Sequence, residues 1–265
     1  MNNNIIPIFT SDASLGRSIL TADDYEKIDK DGKKVNKEPD NESVSIWTIA
    51  NQHKINPVYI VENSMVSFIS HSKYAKKLGK KMVFGVKYKI LTDASDRSEE
   101  SFLSESDVIV FMRSQDSYAD FIKLFSAMNA DSNHFYYYNR GDWKTLQKYW
   151  SDKLLLAIPF YNSFLEKNTF NYGHRAIPSF GDMNPYFFVE SHDLPFDSIL
   201  SNIVKNYCDI HKYPMINTHS VYYYKDEDAV SYQNLRCIIK RTSFDMPELK
   251  HFCSDQFSFE SYAAK

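Results

Sequence analysis

Residues 58–85 read VYIVENSMVSFISHSKYAKKLGKKMVFG and carry the clearest structural signal in the chain. The apolar run at residues 58–61 has the length of a buried strand. Residues 64–78 follow a helical period, with Ser64 as the expected N-cap, an apolar stripe on one face, and lysines before Gly79 at the end. Residues 82–90 return to an apolar run. The stretch therefore predicts a strand, a helix and a second strand in succession.

The alternation of strand and helix continues along the rest of the chain. The expected strands cover residues 108–112, 135–138, 154–158, 186–189 and a segment that begins at 215. The expected helices cover residues 117–128, 142–150, 196–211 and 226–240. Repeated βα pairs are typical of a largely parallel sheet or barrel, and there are too many of them for a small sandwich. We therefore predict an α/β fold with a barrel-like arrangement.

Two segments break this pattern. Residues 23–43 are nearly all charged or polar and contain the turn-forming pair Asp31-Gly32, so we expect a charged surface excursion there. Residues 95–106 are acidic and rich in serine, which predicts a surface loop. At 265 residues the chain is long enough for one large α/β domain or two small ones.

The composition excludes several classes of protein. Hydrophobic residues make up 43% of the chain, which is incompatible with a disordered protein. Only seven glycines occur, and neither G-x-G-x-x-G nor G-x-x-x-x-G-K-[ST] is present, which excludes the nucleotide-binding loops of those types. The formal net charge of -3 gives the whole chain no attraction to a phosphate backbone. Direct binding of nucleic acid would therefore need a local basic patch.

The cysteines and the apolar runs indicate a cytoplasmic protein. Cys208, Cys237 and Cys253 are an odd, widely spaced set without a secretory leader, which favours a reducing compartment. No apolar run approaches the roughly 20 residues that a bilayer span needs. We therefore expect no association with a membrane.

Four short segments stand in an order that is known from one protein family. They are Ser11-Asp12-Ala13-Ser14-Leu15, residues 58–85, residues 186–195 with the run ESHDLP at 190–195, and residues 218–223. Together they resemble the polymerase-and-histidinol-phosphatase (PHP) domain of bacterial DNA polymerase III α subunits. At the corresponding places that family reads His-x-His-Ser-(Asp/Glu)-x-Ser-Leu, Thr-Asp-His after a strand, Gln-Asp-His-Gly-Leu-Pro, and Thr-Asn-Asp-Val-His-Tyr.

The resemblance covers almost the whole chain. Residues 227–229, Leu235, residues 237–238 and residues 255–257 also fall at the family's later spacings. The resemblance implies a distorted TIM-like (βα)7 barrel of the PHP type. It also implies that residues 1–265 form a single domain of this kind.

The resemblance further implies that the family's metal site is lost. An active PHP site holds metal ions with His, Asp, Glu and sometimes Cys at the carboxyl ends of strands. By position, those ligands fall on eight residues of this chain: Ile8, Thr10, Glu62, Asn63, Lys87, His192, Ser220 and Tyr222. Glu62 and His192 alone match an expected ligand type, and Lys87 would repel a cation. We therefore expect no metal, no cofactor and no catalytic residue, which means a pseudoenzyme.

Other histidines and cysteines give weaker signals. Cys208-x-x-His211 and His251-x-Cys253 offer soft ligands, but their spacing lacks the paired C-x-x-C geometry of structural zinc sites. We expect Cys208 to be a small buried hydrophobic residue on one helix face.

Two further signals have an ordinary structural interpretation. His174 and His219 are candidate general bases, but a lone exposed loop histidine is usually structural. Residues 255–259, DQFSF, are loosely similar to peptides that dock on sliding clamps. The PHP family has a similar stretch that closes its domain, so we expect these aromatic side chains to pack internally.

The resemblance implies a role in DNA replication. We expect a non-catalytic module that acts in trans, because polymerase segments do not follow it, with a DNA polymerase or a proofreading exonuclease subunit as its partner. A free-standing copy favours a phage gene directed at a host replicase, with the host cytoplasm as its location.

Two alternatives stay open. One is a metal-dependent phosphoesterase or nuclease with a rearranged site of Asp12, Glu62, His192 and His219. The other is an interaction protein that neutralises a host factor outside replication through residues 23–42.

Overall fold

A computed structural model describes residues 5–22, 44–130, 135–136, 138–170, 177–243 and 254–265. These residues form a mixed α/β protein, which confirms the α/β part of the prediction. Apart from the first six residues, they fall into two compact units. The first unit contains Pro7–Met82 and Ser220–Lys265, and the second contains Val83–His219.

The strands and helices alternate along the chain. The strands are β1 (Ile6–Phe9), β2 (Val58–Glu62), β3 (Met82–Leu91), β4 (Ser106–Met112), β5 (Phe135–Tyr136), β6 (Tyr138–Asn139), β7 (Gly141–Asp142), β8 (Leu154–Ile158), β9 (Tyr186–Val189) and β10 (Met215–Val221). The helices are α1 (Ile46–Gln52), α2 (Phe68–Lys77), α3 (Glu99–Leu103), α4 (Tyr118–Ala130), α5 (Trp143–Lys148), α6 (Phe164–Phe170), α7 (Asp197–His211), α8 (Ala229–Lys240) and α9 (Phe259–Ala264). Short 3-10 turns at Gln115–Ser117 and Asp226–Asp228 precede α4 and α8.

In the first unit, two parallel strands lie beside the end of β10. β1 and β2 pair in parallel with Ile8 opposite Tyr59, and the backbone N–H of Thr10 donates to the carbonyl oxygen of Val221 at 3.4 Å. The strand ends therefore meet at one edge. The Ser45 side chain accepts from Trp47 N and caps α1, as a serine at the N-cap position is expected to do.

In the second unit, strands lie side by side in the order β10, β9, β8, β4, β3 and β7. β8, β9 and the start of β10 pair in parallel, and so do β3 and β7. Alternate residues of β9 point to opposite faces: Phe187 packs on Phe164 and Tyr207 of the helices, whereas Phe188 contacts Phe111 of β4. This alternation explains why an uninterrupted apolar run such as YFFV forms a strand that is covered on both faces.

The expectation of parallel strands is wrong at β4. This strand is antiparallel to both of its neighbours, β3 and β8. Its connection from β3 contains only the five-residue helix α3. Such a helix is about 7.5 Å long, whereas the ten residues of β3 extend for about 33 Å. Because a parallel crossover needs an element that runs back along the strand, the chain instead turns and returns antiparallel.

Two other boundaries differ from the prediction. α2 begins at Phe68 and not at Ser64, because the Ser64 hydroxyl accepts from Val66 N in a local turn and Phe68 N bonds to the carbonyl oxygen of Met65. The expected loop at residues 95–106 contains α3, and Ser106 begins β4 with a buried side chain. The serines of that segment therefore do not all lie on the surface.

Several predictions lie outside the described residues. They concern the charged excursion at residues 23–43, the loop histidine His174, and the possible zinc ligands His251 and Cys253. Among the residues that the structure does describe, no helix is both long enough and apolar enough to cross a bilayer.

The expected packing role of residues 255–259 is confirmed. Phe257 and Phe259 are fully buried. The ring of Phe257 stacks on Tyr222 with 5.3 Å between centroids, and Phe259 stacks on Phe9 of β1 at 6.1 Å. Both aromatic side chains therefore belong to the core of the first unit and do not form a surface peptide.

We expect Phe257→Ala to lower the free energy of unfolding by about 3–5 kcal/mol, because it leaves a cavity beside Tyr222. Urea denaturation followed by circular dichroism measures this. The matched control is Ile238→Ala, which replaces an exposed side chain of α8 and should change stability by less than about 0.5 kcal/mol. Equal effects of the two substitutions would contradict the packing role.

Candidate functional site

Six of the eight former ligand positions fall in the first unit, at or near the carboxyl ends of three strands. Thr10 follows β1, Glu62 ends β2, and Tyr222 follows β10. The Thr10 hydroxyl donates to the carbonyl oxygen of Val61 at 3.0 Å. The structure thus brings together the strand ends on which the resemblance places the metal ligands of the PHP family.

The carboxylate of Glu62 is buried and accepts hydrogen bonds on both oxygens. Its Oε1 accepts from Ser11 N at 3.0 Å, from Ser11 Oγ at 2.6 Å and from His71 Nε2 at 3.3 Å, and its Oε2 accepts from Ser14 Oγ at 2.5 Å. Four protein donors, three on Oε1 and one on Oε2, therefore surround the carboxylate and compete with a metal ion for its lone pairs. The arrangement stabilises a negative charge in the interior with hydrogen-bond donors of the described residues.

A tryptophan fixes the proton position on His71. Trp47 Nε1 donates to His71 Nδ1 at 3.0 Å, and both side chains are fully buried. Since an indole nitrogen can only donate, Nδ1 of His71 has no proton, and the neutral ring carries its proton on Nε2. His71 therefore donates to Glu62 and forms a Trp47–His71–Glu62 chain of hydrogen bonds.

The remaining former ligand positions of the first unit have structural contacts. Ile8 belongs to the core, and Asn63 is exposed, with its backbone N–H donating to Ser14 Oγ at 2.7 Å. Ser220 lies in β10 and is half-buried. The ring of Tyr222 stacks on Tyr232 at 5.5 Å as well as on Phe257. Aromatic packing thus takes the place that the resemblance gives to a histidine.

In the second unit, His192 belongs to a buried histidine pair. His192 Nε2 lies 2.8 Å from Glu190 Oε2, and the ring centroids of His192 and His219 are 4.4 Å apart. His219 lies in β10 and is only 1% exposed, so the interpretation of His219 as an exposed loop histidine is wrong. β10 continues past the apolar pair Met215-Ile216 through four polar residues to Val221, and this places His219 within the strand.

Polar side chains hold the loop between β9 and α7 around this pair. Asp197 Oδ2 accepts from the backbone N–H groups of His192 and Leu194, at 2.8 and 3.1 Å, and its Oδ1 accepts from Tyr161. Thr218 Oγ1 donates to Glu190 Oε1 at 3.1 Å. Asp197 begins α7, where a carboxylate is stabilised by the helix dipole. These bonds fix the loop, and both oxygens of Glu190 have partners.

Lys87 lies on β3 opposite Ile109, and a charged cluster begins two residues further along the strand, at Lys89. There Lys89 Nζ contacts the Glu105 carboxylate, which also accepts from the hydroxyl of Tyr138. Lys167 Nζ donates to the backbone oxygen of Glu105, and burial lowers the pKa of Lys167. Sequence reasoning missed this cluster because its members are separated by up to 78 positions and fit no spacing pattern.

The candidate zinc ligands do not assemble in the described part of the chain. Cys208 is buried in α7, as expected, and burial raises the pKa of its thiol to about 12. His211 lies on the same helix and stacks on Tyr207 and Tyr213. Among the described residues, no group of three or more His, Cys, Asp or Glu side chains has the geometry of a metal site.

The residues proposed for a rearranged enzymatic site fall into two separate sets. Asp12 and Glu62 lie in the first unit, where Asp12 Oδ1 accepts from Ala22 N at 3.3 Å. His192 and His219 lie in the second unit. Each set is already engaged in the contacts of its own unit.

The second unit also carries an open pocket of about 960 Å³. It lies between α4, α5 and residues 179–183, and its lining is mixed in charge, with Asp120, Lys123, Lys148 and Asp182. None of the former ligand positions lines this pocket.

In comparisons with known proteins, no family model and no curated sequence matches this chain.

We expect Glu62→Gln to lower the free energy of unfolding by about 2–4 kcal/mol. An amide in place of the carboxylate loses the charge-assisted hydrogen bonds and sets an N–H group against a serine or histidine donor. Chemical denaturation measures the effect. Glu227→Gln removes an exposed carboxylate from the same unit and should change stability by less than about 0.5 kcal/mol. If the two variants unfold at the same urea concentration, Glu62 does not have the stabilising role that its four donors indicate.

Proposed function

We propose that this chain is a non-catalytic module of the PHP type, with the distorted TIM-like (βα)7 barrel of that family, and that it acts in trans as a binding or regulatory protein of a DNA replicase. The observation that carries the non-catalytic part is the state of Glu62. Its carboxylate is the one acidic side chain at a former ligand position, and four donors of the protein itself already surround it.

Metal-dependent hydrolysis needs several convergent ligands and an open coordination position for water or substrate. At the strand ends of the first unit, the corresponding groups are the Thr10 hydroxyl, which donates to a backbone carbonyl, and the Tyr222 ring, which is stacked. Neither group replaces an imidazole as a ligand. The local framework is kept while the chemistry is lost, which supports a binding function.

Exposed apolar side chains support a binding surface near these strand ends. Leu15 is 81% exposed and Val66 is 80% exposed. The bond from Asn63 N to Ser14 Oγ holds the two loops that carry them side by side. Ile69 on the first turn of α2 is also exposed. Several large exposed apolar residues on adjacent segments are typical of a surface that a partner covers.

The partner class is supported by the sequence resemblance alone. In the PHP family, degenerate domains support the polymerase and contact a separate proofreading exonuclease. We therefore propose a DNA polymerase or a proofreading exonuclease subunit as the partner, and a phage origin with a host replicase as the target. The alternative that uses residues 23–42 against a host factor concerns a segment outside the described residues.

The first test is metal binding. Protein purified without chelator should contain less than about one ion per ten chains by elemental mass spectrometry, because a site without free ligands binds metal weakly. Addition of manganese, zinc or EDTA should leave the melting temperature unchanged, whereas a ligand at a hundred times its Kd adds about 2.7 kcal/mol to stability. Manganese-dependent phosphodiester hydrolysis that His192→Ala abolishes would instead establish the phosphoesterase alternative.

The second test is binding to purified replication proteins. The chain should bind a bacterial polymerase III α subunit or its proofreading exonuclease in a surface-based binding assay. Leu15→Asp should weaken that binding by roughly tenfold or more, as expected when a charge replaces a buried interface side chain. Ile210→Asp replaces a comparably exposed residue of the second unit and serves as the matched control. If neither purified protein binds at micromolar concentration, the proposed partner class is wrong.

A further inference from the structure

A buried arginine whose guanidinium pairs with no carboxylate of the described residues lies in the first unit. Arg236 projects from α8 and is only 5% exposed. Its Nη1 donates to the carbonyl oxygen of Gly16 at 2.7 Å, and its Nε is buried without a hydrogen-bond partner. No carboxylate pairs with this guanidinium in the part of the chain that the structure describes. Among the described residues, the carbonyl oxygen of Gly16 is therefore the acceptor that faces this positive charge.

The physical cost of this arrangement is high. An arginine keeps its charge at any physiological pH, and buried charges in proteins are normally paired and hydrogen-bonded. Burial is the main cause that lowers the pKa of Arg236; Tyr232 and Tyr222 act in the opposite direction, and the neighbouring positive charge of Arg17 lowers it further. A second cation nearby thus increases the electrostatic cost and does not relieve it.

The loop that carries Arg17 is held firmly in place. Arg17 N donates to the carbonyl oxygen of Ser14, and Ser18 Oγ and Ile19 N both donate to the carbonyl oxygen of Tyr222. Gly16 has φ +71°, and a Cβ on it would lie 2.6 Å from Ile239 of α8. Because the loop packs so closely on α8, Arg17 is kept beside Arg236 in spite of their repulsion.

Two tyrosines complete the surroundings. Arg17 and Arg236 both act electrostatically on the phenol of Tyr232, which is fully buried and stacked on Tyr222. A phenol is neutral at neutral pH and can donate a hydrogen bond, but it provides no negative charge. Two guanidinium groups and phenol donors on a fixed framework are the groups that recognise a tetrahedral oxyanion.

We propose that Arg17 and Arg236, with Tyr222 and Tyr232, form a binding site for a phosphate group, either free phosphate or the phosphate monoester group of a small molecule. The two positive charges match the charge of nearly -2 that a phosphate monoester carries at neutral pH, and its three terminal oxygens accept from several donors at once. A carboxylate would neutralise only one arginine. This inference is independent of the proposed replicase partner.

The test is a titration with inorganic phosphate at constant ionic strength, in chloride buffer, followed by melting temperature and by isothermal calorimetry. The wild-type protein should show a saturable rise in melting temperature. Arg17→Met should raise the Kd by roughly tenfold or more, since one charge-assisted bidentate contact is lost. Lys73→Gln removes an exposed cation of the same unit and should leave the Kd unchanged.

Arg236→Met separates a ligand-binding arginine from a structural one. In chloride buffer this variant should melt at or above the wild-type temperature, because it keeps the aliphatic packing and removes an uncompensated charge. In phosphate it should show no saturable rise. If this variant does not fold, Arg17→Met, which changes a half-buried side chain, carries the test.

The source of the phosphate group is identified by comparing ligands. Tighter binding of a nucleoside 5′-monophosphate than of inorganic phosphate indicates a nucleotide, and equal binding indicates free phosphate. A rise in melting temperature that does not saturate and is equal in all variants is the general stabilising effect of phosphate salts, and it would overturn the proposal. Binding that requires an oligonucleotide without a terminal phosphate would overturn it as well.

Discussion

The negative charge of Glu62 is buried, and the surrounding part of the first unit is arranged to stabilise it. Its donors come from two segments far apart in the sequence: Ser11 and Ser14 follow β1, and His71 lies on α2. Trp47 of α1 donates to Nδ1 of His71 and so fixes the tautomer of that ring. A buried charge that loses one donor is costly, so this network specifies how the loop after β1, α1 and α2 pack around the end of β2.

The elements of the fold follow closely from local sequence patterns. The strands β8 and β9 begin and end at the predicted residues. Each is an apolar run of four or five residues with a proline at one end, which is long enough for a buried strand and too short for a helix. The prediction failed where long-range or local polar contacts override the pattern. Ser64 bonds within its own turn, so α2 starts four residues later. The direction of β4 depends on the length of its connection, which residue periodicity does not record.

The candidate site was predictable only in part. The family resemblance placed Thr10, Glu62 and Tyr222 at strand ends, and in the structure each of them lies at the end of a strand in the first unit. The partners of those residues were not predictable, since Ser11 and Glu62 are 51 positions apart and form no motif. A buried glutamate does imply donors, however, and a histidine nine residues further along the following helix was the available signal.

Glu62 and Arg236 are buried charges of opposite sign in the same unit, and they differ in their hydrogen-bond partners. The carboxylate of Glu62 accepts from four donors, and one of them, His71, is held in a single tautomer by Trp47. A buried charge with a structural role requires such partners. Among the described residues, the guanidinium has one carbonyl acceptor, and the positive charge of Arg17 acts on it unfavourably. Replacement of Arg236 by an apolar residue of similar length would remove this cost without a cavity, so packing does not account for the arginine. A ligand with negative charge does account for it, because that ligand pairs with a charge that no carboxylate of the described residues neutralises.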